Sequence, residues 1–165
     1  MEMTSAGDAS TPQQGDPSPP GQPARTPVVG IGASAGGMES FSELLRHLPP
    51  GSGMAFVLIQ HLDPSHPSYL REALARSTTI PMVEAEDRMR LQPDHIYVIP
   101  SNADVGLHDG ALELSPRSPD EKKPHLPIDS FFKSLADDLG NQAIAVVLSG
   151  TGADGAEGLR AVKAQ

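Results

Sequence analysis

Cysteine is absent from the 165 residues, which excludes disulfides, thiolate catalysis and zinc–thiolate sites. Long apolar runs are absent too. Nothing approaches the roughly 18 consecutive apolar residues of a membrane-spanning helix. Large aliphatic residues are almost missing from positions 1–27, which helps to explain a modest apolar content of 38%. Positive charge is scarce: 12 basic residues face 21 acidic ones, for a net charge of −9. Nucleic acid and anionic membrane are therefore poor partners, whereas a cationic surface would be attracted. The first 25 residues lack the basic start and apolar centre of a signal peptide. The expectation is one soluble, cytoplasmic domain with a proper core.

Residues 1–26 hold Pro, Gly, Ser, Thr, Gln and Asp without periodicity and are expected to form a disordered arm. A strand is expected over Thr26–Ile31. A helix then runs from Gly37 to His47, with Met38, Phe41, Leu44, Leu45 and Leu48 at helical spacing. The apolar run Met54–Ile59 suits a strand buried on both faces of a parallel sheet. Ser68–Arg76 reads as a helix with Tyr69, Leu70, Ala73 and Leu74 inward, and Ile80–Glu84 as a short strand. His95–Ile99 is another buried strand. Asp109-Gly110 between two apolar stretches predicts a hairpin. Ser115–Pro127 reads as a surface loop. Ile128–Leu139 is an amphipathic helix with Asp129 as N-cap and Gly140 as its stop. Ala143–Leu148 is a third fully apolar strand, and a last helix starts near Ala156 and runs on to Gln165. This order gives an α/β fold: a doubly wound, mostly parallel sheet with flanking helices and a small antiparallel hairpin excursion.

The first strand runs into Gly30-Ile31-Gly32-Ala33-Ser34-Ala35-Gly36-Gly37. Two chemistries fit. Gly32 to Gly36 spells G-x-S-x-G, in which small neighbours let a serine stand exposed on a sharp strand-to-helix turn. Gly30 to Ala35 also fits G-x-G-x-x-A, the dinucleotide-binding turn. The second strand ends in Gln60-His61, and the third runs into Ser149-Gly150-Thr151-Gly152-Ala153-Asp154-Gly155. Reactions in such sheets occur beyond the carboxyl ends of the strands, where Ser34, His61 and Asp154 all fall.

These are the residue types of a serine hydrolase. The histidine takes the hydroxyl proton and the carboxylate orients the imidazole. Backbone N–H groups of Gly36-Gly37 or Thr151-Gly152 are candidate donors to a tetrahedral oxyanion. Each residue also has an ordinary reading: Ser34 as a helix cap, His61 as a hydrogen-bonded structural residue, Asp154 as turn chemistry. The dinucleotide reading lacks the acidic residue expected near the end of the second strand, where Gln60-His61 stands. His61, Asp63 and His66 form an H-x-D-x-x-H metal candidate. Pro64 and Pro67 argue against a single helix face for it, and neither metal nor cofactor is expected. His47, His95, His108 and His125 stand in ordinary helix-end, strand or loop contexts.

Ile31–Gly37, Gln60-His61-Leu62-Asp63-Pro64 and Leu148–Gly155, with His95–Pro100 and Leu126–Phe132 between them, together resemble the catalytic domain of the chemotaxis protein-glutamate methylesterases (CheB). The wording is closest to the variant fused to a CheR-type methyltransferase and PAS-like segments. The resemblance implies hydrolysis of glutamyl methyl esters on chemoreceptor helices, with glutamine deamidation by some members. It implies Ser34 as nucleophile, His61 as general base and acid, and Asp154 as orienting carboxylate. It also implies Ala35, Gly36, Thr151 and Gly152 as oxyanion and turn candidates, with Thr151 where the family usually has methionine. The implied partners are a methylated chemoreceptor or similar signalling protein and a CheR-type methyltransferase, with no nucleic acid and no membrane insertion. Stand-alone members carry an N-terminal receiver domain; here a 26-residue arm comes first. The family continues past the last residue here into a further strand and a Met-Pro segment, so 27–165 is expected to be a C-terminally incomplete methylesterase domain with an exposed sheet edge. A non-catalytic scaffold and a nucleotide-binding domain are the competing readings.

Overall fold

The structure is a computed structural model that describes residues 25–34, 36–60, 69–117, 124–148 and 152–165. The chain forms strands β1 (Val28–Ala33), β2 (Ala55–Gln60), β3 (Met82–Glu84), β4 (His95–Val98), β5 (Ala103–His108), β6 (Ala111–Pro116) and β7 (Ala143–Val147). The helices are α1 (Met38–His47), α2 (Leu70–Leu74), α3 (Pro127–Leu139) and α4 (Ala156–Lys163). Five strands make one sheet in the order β3-β4-β2-β1-β7, and each neighbouring pair in it is parallel. β5 and β6 form a separate antiparallel hairpin. This is the expected fold class. Among the described residues no helix is long and apolar enough to cross a membrane.

Alternation along β1 divides the interior in two. Val29, Ile31 and Ala33 join Phe41 and Leu45 of α1 and Leu70 and Leu74 of α2 in one core layer. Val28 joins the opposite layer, with Phe131, Phe132 and Leu135 of α3 and Leu107 and Leu112 of the hairpin. Phe131 and Phe132 are both fully buried, and burial of each phenyl ring contributes about 1.5–3 kcal/mol. The two β1 glycines face α3. A Cβ on Gly30 would lie 2.9 Å from the Phe132 ring, and one on Gly32 would lie 2.4 Å from Ile128 Cγ2. Both glycines therefore let the helix settle directly on the sheet.

The hairpin forms as its Asp-Gly pair predicts. Asp109 and Gly110 have φ of 49° and 72°, the two positive angles of a type I′ turn. The turn is tied to α3 by Asp138. Its carboxylate accepts the Asp109 N–H at 2.8 Å and the Gly110 N–H at 3.0 Å. Arg25 pairs with the same carboxylate at 3.5 Å, so the residues just before β1 join this corner.

Several expectations need correction. Tyr69 is 70% exposed and Ala73 is also exposed. With only five residues in α2, the i,i+4 pair Leu70 and Leu74 alone reaches the sheet. Ile80 is buried but precedes β3, because Pro81 has no N–H to offer a ladder. β1 and β2 start and end one or two residues later than expected, and β6 takes Ser115 and Pro116 from the expected loop. β7 forms as the apolar strand expected and lies at an edge of the five-stranded sheet, with Ile144 41% and Val147 37% exposed. Asp129 is not the cap of α3; that position is Leu126. Residues 1–24 of the expected arm lie outside the described residues.

The close seat of α3 on β1 yields a stability test. Gly32→Ala forces a methyl against Ile128 and should destabilise the fold by about 1–3 kcal/mol, read as a lower urea midpoint. An unchanged midpoint would mean that α3 rests less tightly on β1.

Candidate active site

The sheet order reverses beside β1: the chain leaves β1 for β2 on one side and returns to β7 on the other. This is the switch point of an open parallel sheet, where a crevice forms beyond the carboxyl ends of the strands. Ser34 follows β1 there, and Gly152 to Gly155 lie in the turn between β7 and α4. The Leu148 N–H donates to the Gly32 carbonyl at 2.9 Å, which carries the β1–β7 pairing to the last residue before that turn.

The turn after β1 is built by close approach. The Ser34 carbonyl accepts the Gly37 N–H at 2.9 Å. Gly36 has φ of +97°, and a Cβ on Gly37 would lie 2.3 Å from Ala33 Cβ. No larger residue fits at Gly37, and only glycine adopts the Gly36 angle without strain. This is the small-residue requirement of a nucleophile elbow. Gly37, not Ser34, occupies the N-cap of α1, so the ordinary reading of this serine as that helix's cap does not hold. The dinucleotide reading fails as well. Gly30 and Gly32 lie inside β1 facing α3, not in a turn that a pyrophosphate could approach.

Asp154 is placed by α3. Its Oδ1 accepts the Asp129 N–H at 2.9 Å and its Oδ2 accepts the Ile128 N–H at 3.2 Å. Pro127 stands at the first helical position and has no N–H. The next two donors of the first turn both go to Asp154. A carboxylate at a helix N-terminus is favoured by the dipole as well as by these bonds. It has about four acceptor sites, so two backbone bonds orient it without exhausting its capacity to accept an imidazole N–H. Asp154 is thus a cap supplied from another part of the chain, which no local pattern could reveal.

Ile128 packs against both β1 and the Asp154 turn. Its Cγ2 would meet a Cβ on Gly32 at 2.4 Å and one on Gly155 at 3.0 Å. Gly32 is two residues before Ser34, and Gly155 adjoins Asp154. The end of β1 and the turn that carries Asp154 therefore both pack against one side chain at the start of α3.

Gly36 and Gly152 are both exposed, as donors to a ligand must be. The Gly37 N–H is engaged by the Ser34 carbonyl and is not available as an oxyanion donor. Ala35, His61, Thr151 and the H-x-D-x-x-H candidate lie outside the described residues. His125, read as ordinary, pairs with Asp104 at 2.6 Å. Among the described residues no group of three or more His, Asp or Glu side chains is placed to hold a metal. Grooves of about 470 and 550 Å³ border the hairpin, and neither is lined by Ser34 or Asp154.

The architecture is thus a doubly wound α/β domain with Ser34 just past β1 at its switch point. Residues 29–165 match the family model of the CheB methylesterases. A protein-glutamate methylesterase/protein-glutamine glutaminase of Methanospirillum hungatei is 34% identical over 136 residues, covering 82% of this chain and 39% of that protein. The corresponding Myxococcus xanthus protein is 36% identical over 138 residues, covering 82% and 40%. The crystal structure of the Thermotoga maritima CheB methylesterase catalytic domain superposes with a TM-score of 0.72 at 26% identity, covering 85% of this chain and 76% of that one. The chain belongs to the CheB methylesterase family. It spans about two-fifths of the length of the curated relatives it matches.

The capping role can be separated from any chemistry. Asp154→Ala should destabilise the fold by about 0.5–2 kcal/mol, the usual worth of a helix cap. Asp154→Asn, which keeps an acceptor oxygen, should cost less. Equal midpoints for Asp154→Ala and the parent would mean that the two bonds to α3 do not hold the turn.

Proposed function

We propose that this chain is the catalytic unit of a protein-glutamate methylesterase, hydrolysing glutamyl methyl esters on a chemoreceptor-type signalling protein to glutamate and methanol. The observation that carries the reading is that Ser34 follows β1 at the sheet's switch point while Asp154, in the turn after β7, is held on the first turn of α3. Residues 27–165 form the methylesterase unit in this reading, preceded by the arm of residues 1–26, and the setting is the cytoplasm. A CheR-type methyltransferase is the proposed functional counterpart.

Ser34 Oγ attacks the ester carbonyl while His61 takes its proton. Asp154, held by two α3 amides, fixes the imidazole and stabilises its charged form. Backbone N–H groups from Ala35, Gly36, Thr151 and Gly152 are the candidate donors to the tetrahedral oxyanion, where one donor is worth about 3–4 kcal/mol. His61 then protonates the departing methanol. Water, activated by the same histidine, releases the glutamate from Ser34. The relatives' names pair this activity with glutaminase. A glutamine amide would follow the same acyl-enzyme path with ammonia as leaving group. Threonine at 151 leaves backbone donation possible and alters the pocket lining.

A fluorophosphonate should label the purified chain at Ser34, and Ser34→Ala should abolish both labelling and ester hydrolysis. A folded chain that neither labels nor hydrolyses would leave the scaffold reading in its place. Asp154→Asn should lower turnover by up to about 10⁴-fold; a loss below tenfold would point to another carboxylate. Turnover should rise from acid toward neutral pH, because only neutral imidazole can accept the serine proton. A flat profile from acid to neutral pH would remove His61 from the base's role.

A further inference from the structure

We propose that Asp129 is a positioning residue for the reaction, acting only through Asp154. This rests on the methylesterase reading above. Among the described residues Asp129 is a buried charged residue, 3% exposed. Its carboxylate does not serve its own helix. It crosses to α4, where Oδ1 accepts the Gly158 N–H at 2.6 Å. Gly158 is the third residue of α4, and its N–H is one of the donors that a helix start leaves without an internal partner. In return, the Asp129 N–H donates to Asp154 Oδ1 at 2.9 Å, and Asp154 is two residues before α4.

The two aspartates therefore cap each other's helices. Asp154, from the start of α4, holds the first turn of α3. Asp129, from the first turn of α3, holds the first turn of α4. The loop formed by these bonds fixes the Asp154 carboxylate from both sides: directly by the amides it accepts, and through α4 by the bond at Gly158. The close contact of the helices keeps the loop short. A Cβ on Gly158 would lie 2.5 Å from Phe132 Cβ and 3.1 Å from the Asp129 carbonyl oxygen, so the glycine is required for Asp129 to reach. Without the Asp129 carboxylate, α4 can move away from α3, and Asp154 loses the alignment that an imidazole partner needs. Displacements of this kind, remote from the reacting atoms, reduce turnover on the order of 10²-fold per ångström.

The test uses the full chain with a methyl-esterified glutamyl peptide as substrate. Asp129→Ala should lower kcat on the order of 10²-fold with KM nearly unchanged. Asp129→Asn, which retains an acceptor oxygen for Gly158, should recover most of that loss. In an Asp154→Asn background, Asp129→Ala should cost less than about threefold more, because a residue acting through another has little left to disturb. A folded Asp129→Ala with parental kcat, a loss confined to KM, or an undiminished loss in the Asp154→Asn background would each overturn the proposal. Should Asp129→Ala not fold, Asp129→Ser carries the same comparison, since its hydroxyl stops short of α4. Hydrogen exchange gives a readout independent of turnover. The Ile128 amide should exchange at least about tenfold faster in Asp129→Ala, with Leu135 unchanged. An unmoved Ile128 amide overturns the positioning role even in a chain that hydrolyses nothing, whereas loss of hydrolysis in the parent itself counts against the methylesterase reading.

Discussion

The carboxylate of Asp154 sits on the first turn of α3 and takes its two available amide protons, and much of the domain's geometry depends on that contact. Proline at the first helical position removes one donor in advance, so a single carboxylate completes the turn. Hydrogen bonds to a charged acceptor are stronger than those between neutral groups. Their larger effect is geometric. They fasten the loop after β7 to a helix whose opposite end is fastened, through Asp138, to the hairpin. The edge strand, the helix layer and the hairpin become one unit across the α3 face of the sheet.

Such a unit works only if the layers come close enough for short side chains to span them. Glycine provides the closeness at three positions along the seam. Gly30 admits the two phenyl rings of α3, Gly32 admits Ile128, and Gly158 admits Phe132 and the backbone of Asp129. A pattern that also fits phosphate binding in the sequence thus serves helix docking in the fold. The difference is one of register. Glycines that cradle a phosphate must stand in the turn after the strand, whereas these two end before it.

The central part of the fold was legible because its signals are local. Apolar runs marked β1 and β2, Asp109-Gly110 marked the hairpin, and the spacing of Phe131, Phe132, Leu135 and Leu139 marked the buried face of α3. What escaped was set by distant partners. Asp129 looks like a cap because it lies near a helix start, yet its carboxylate serves a residue 29 positions away, and the true capping group comes from 25 positions away. The exposure of Ile144 and Val147 depends on the place of β7 in the sheet, which composition cannot reveal. Ser34 and Asp154 were legible as strand-end residues. The approach of Gly32 and Gly155 to Ile128 was not, because it required knowing that β7 pairs with β1 and that α3 packs against that seam.

These contacts also change how much each residue says about chemistry. Asp154 has a structural task that would retain a carboxylate or amide there even in a domain that catalyses nothing. Its presence therefore discriminates weakly between an esterase and a scaffold. Ser34 stands differently. The turn that holds it is formed by backbone and glycine: the Ser34 carbonyl accepts Gly37, and Gly37 supplies the cap position of α1. The turn places the serine past β1, at the switch point of the sheet. In the proposed reading the serine attacks, and the bonds to α3 hold the carboxylate in a fixed orientation.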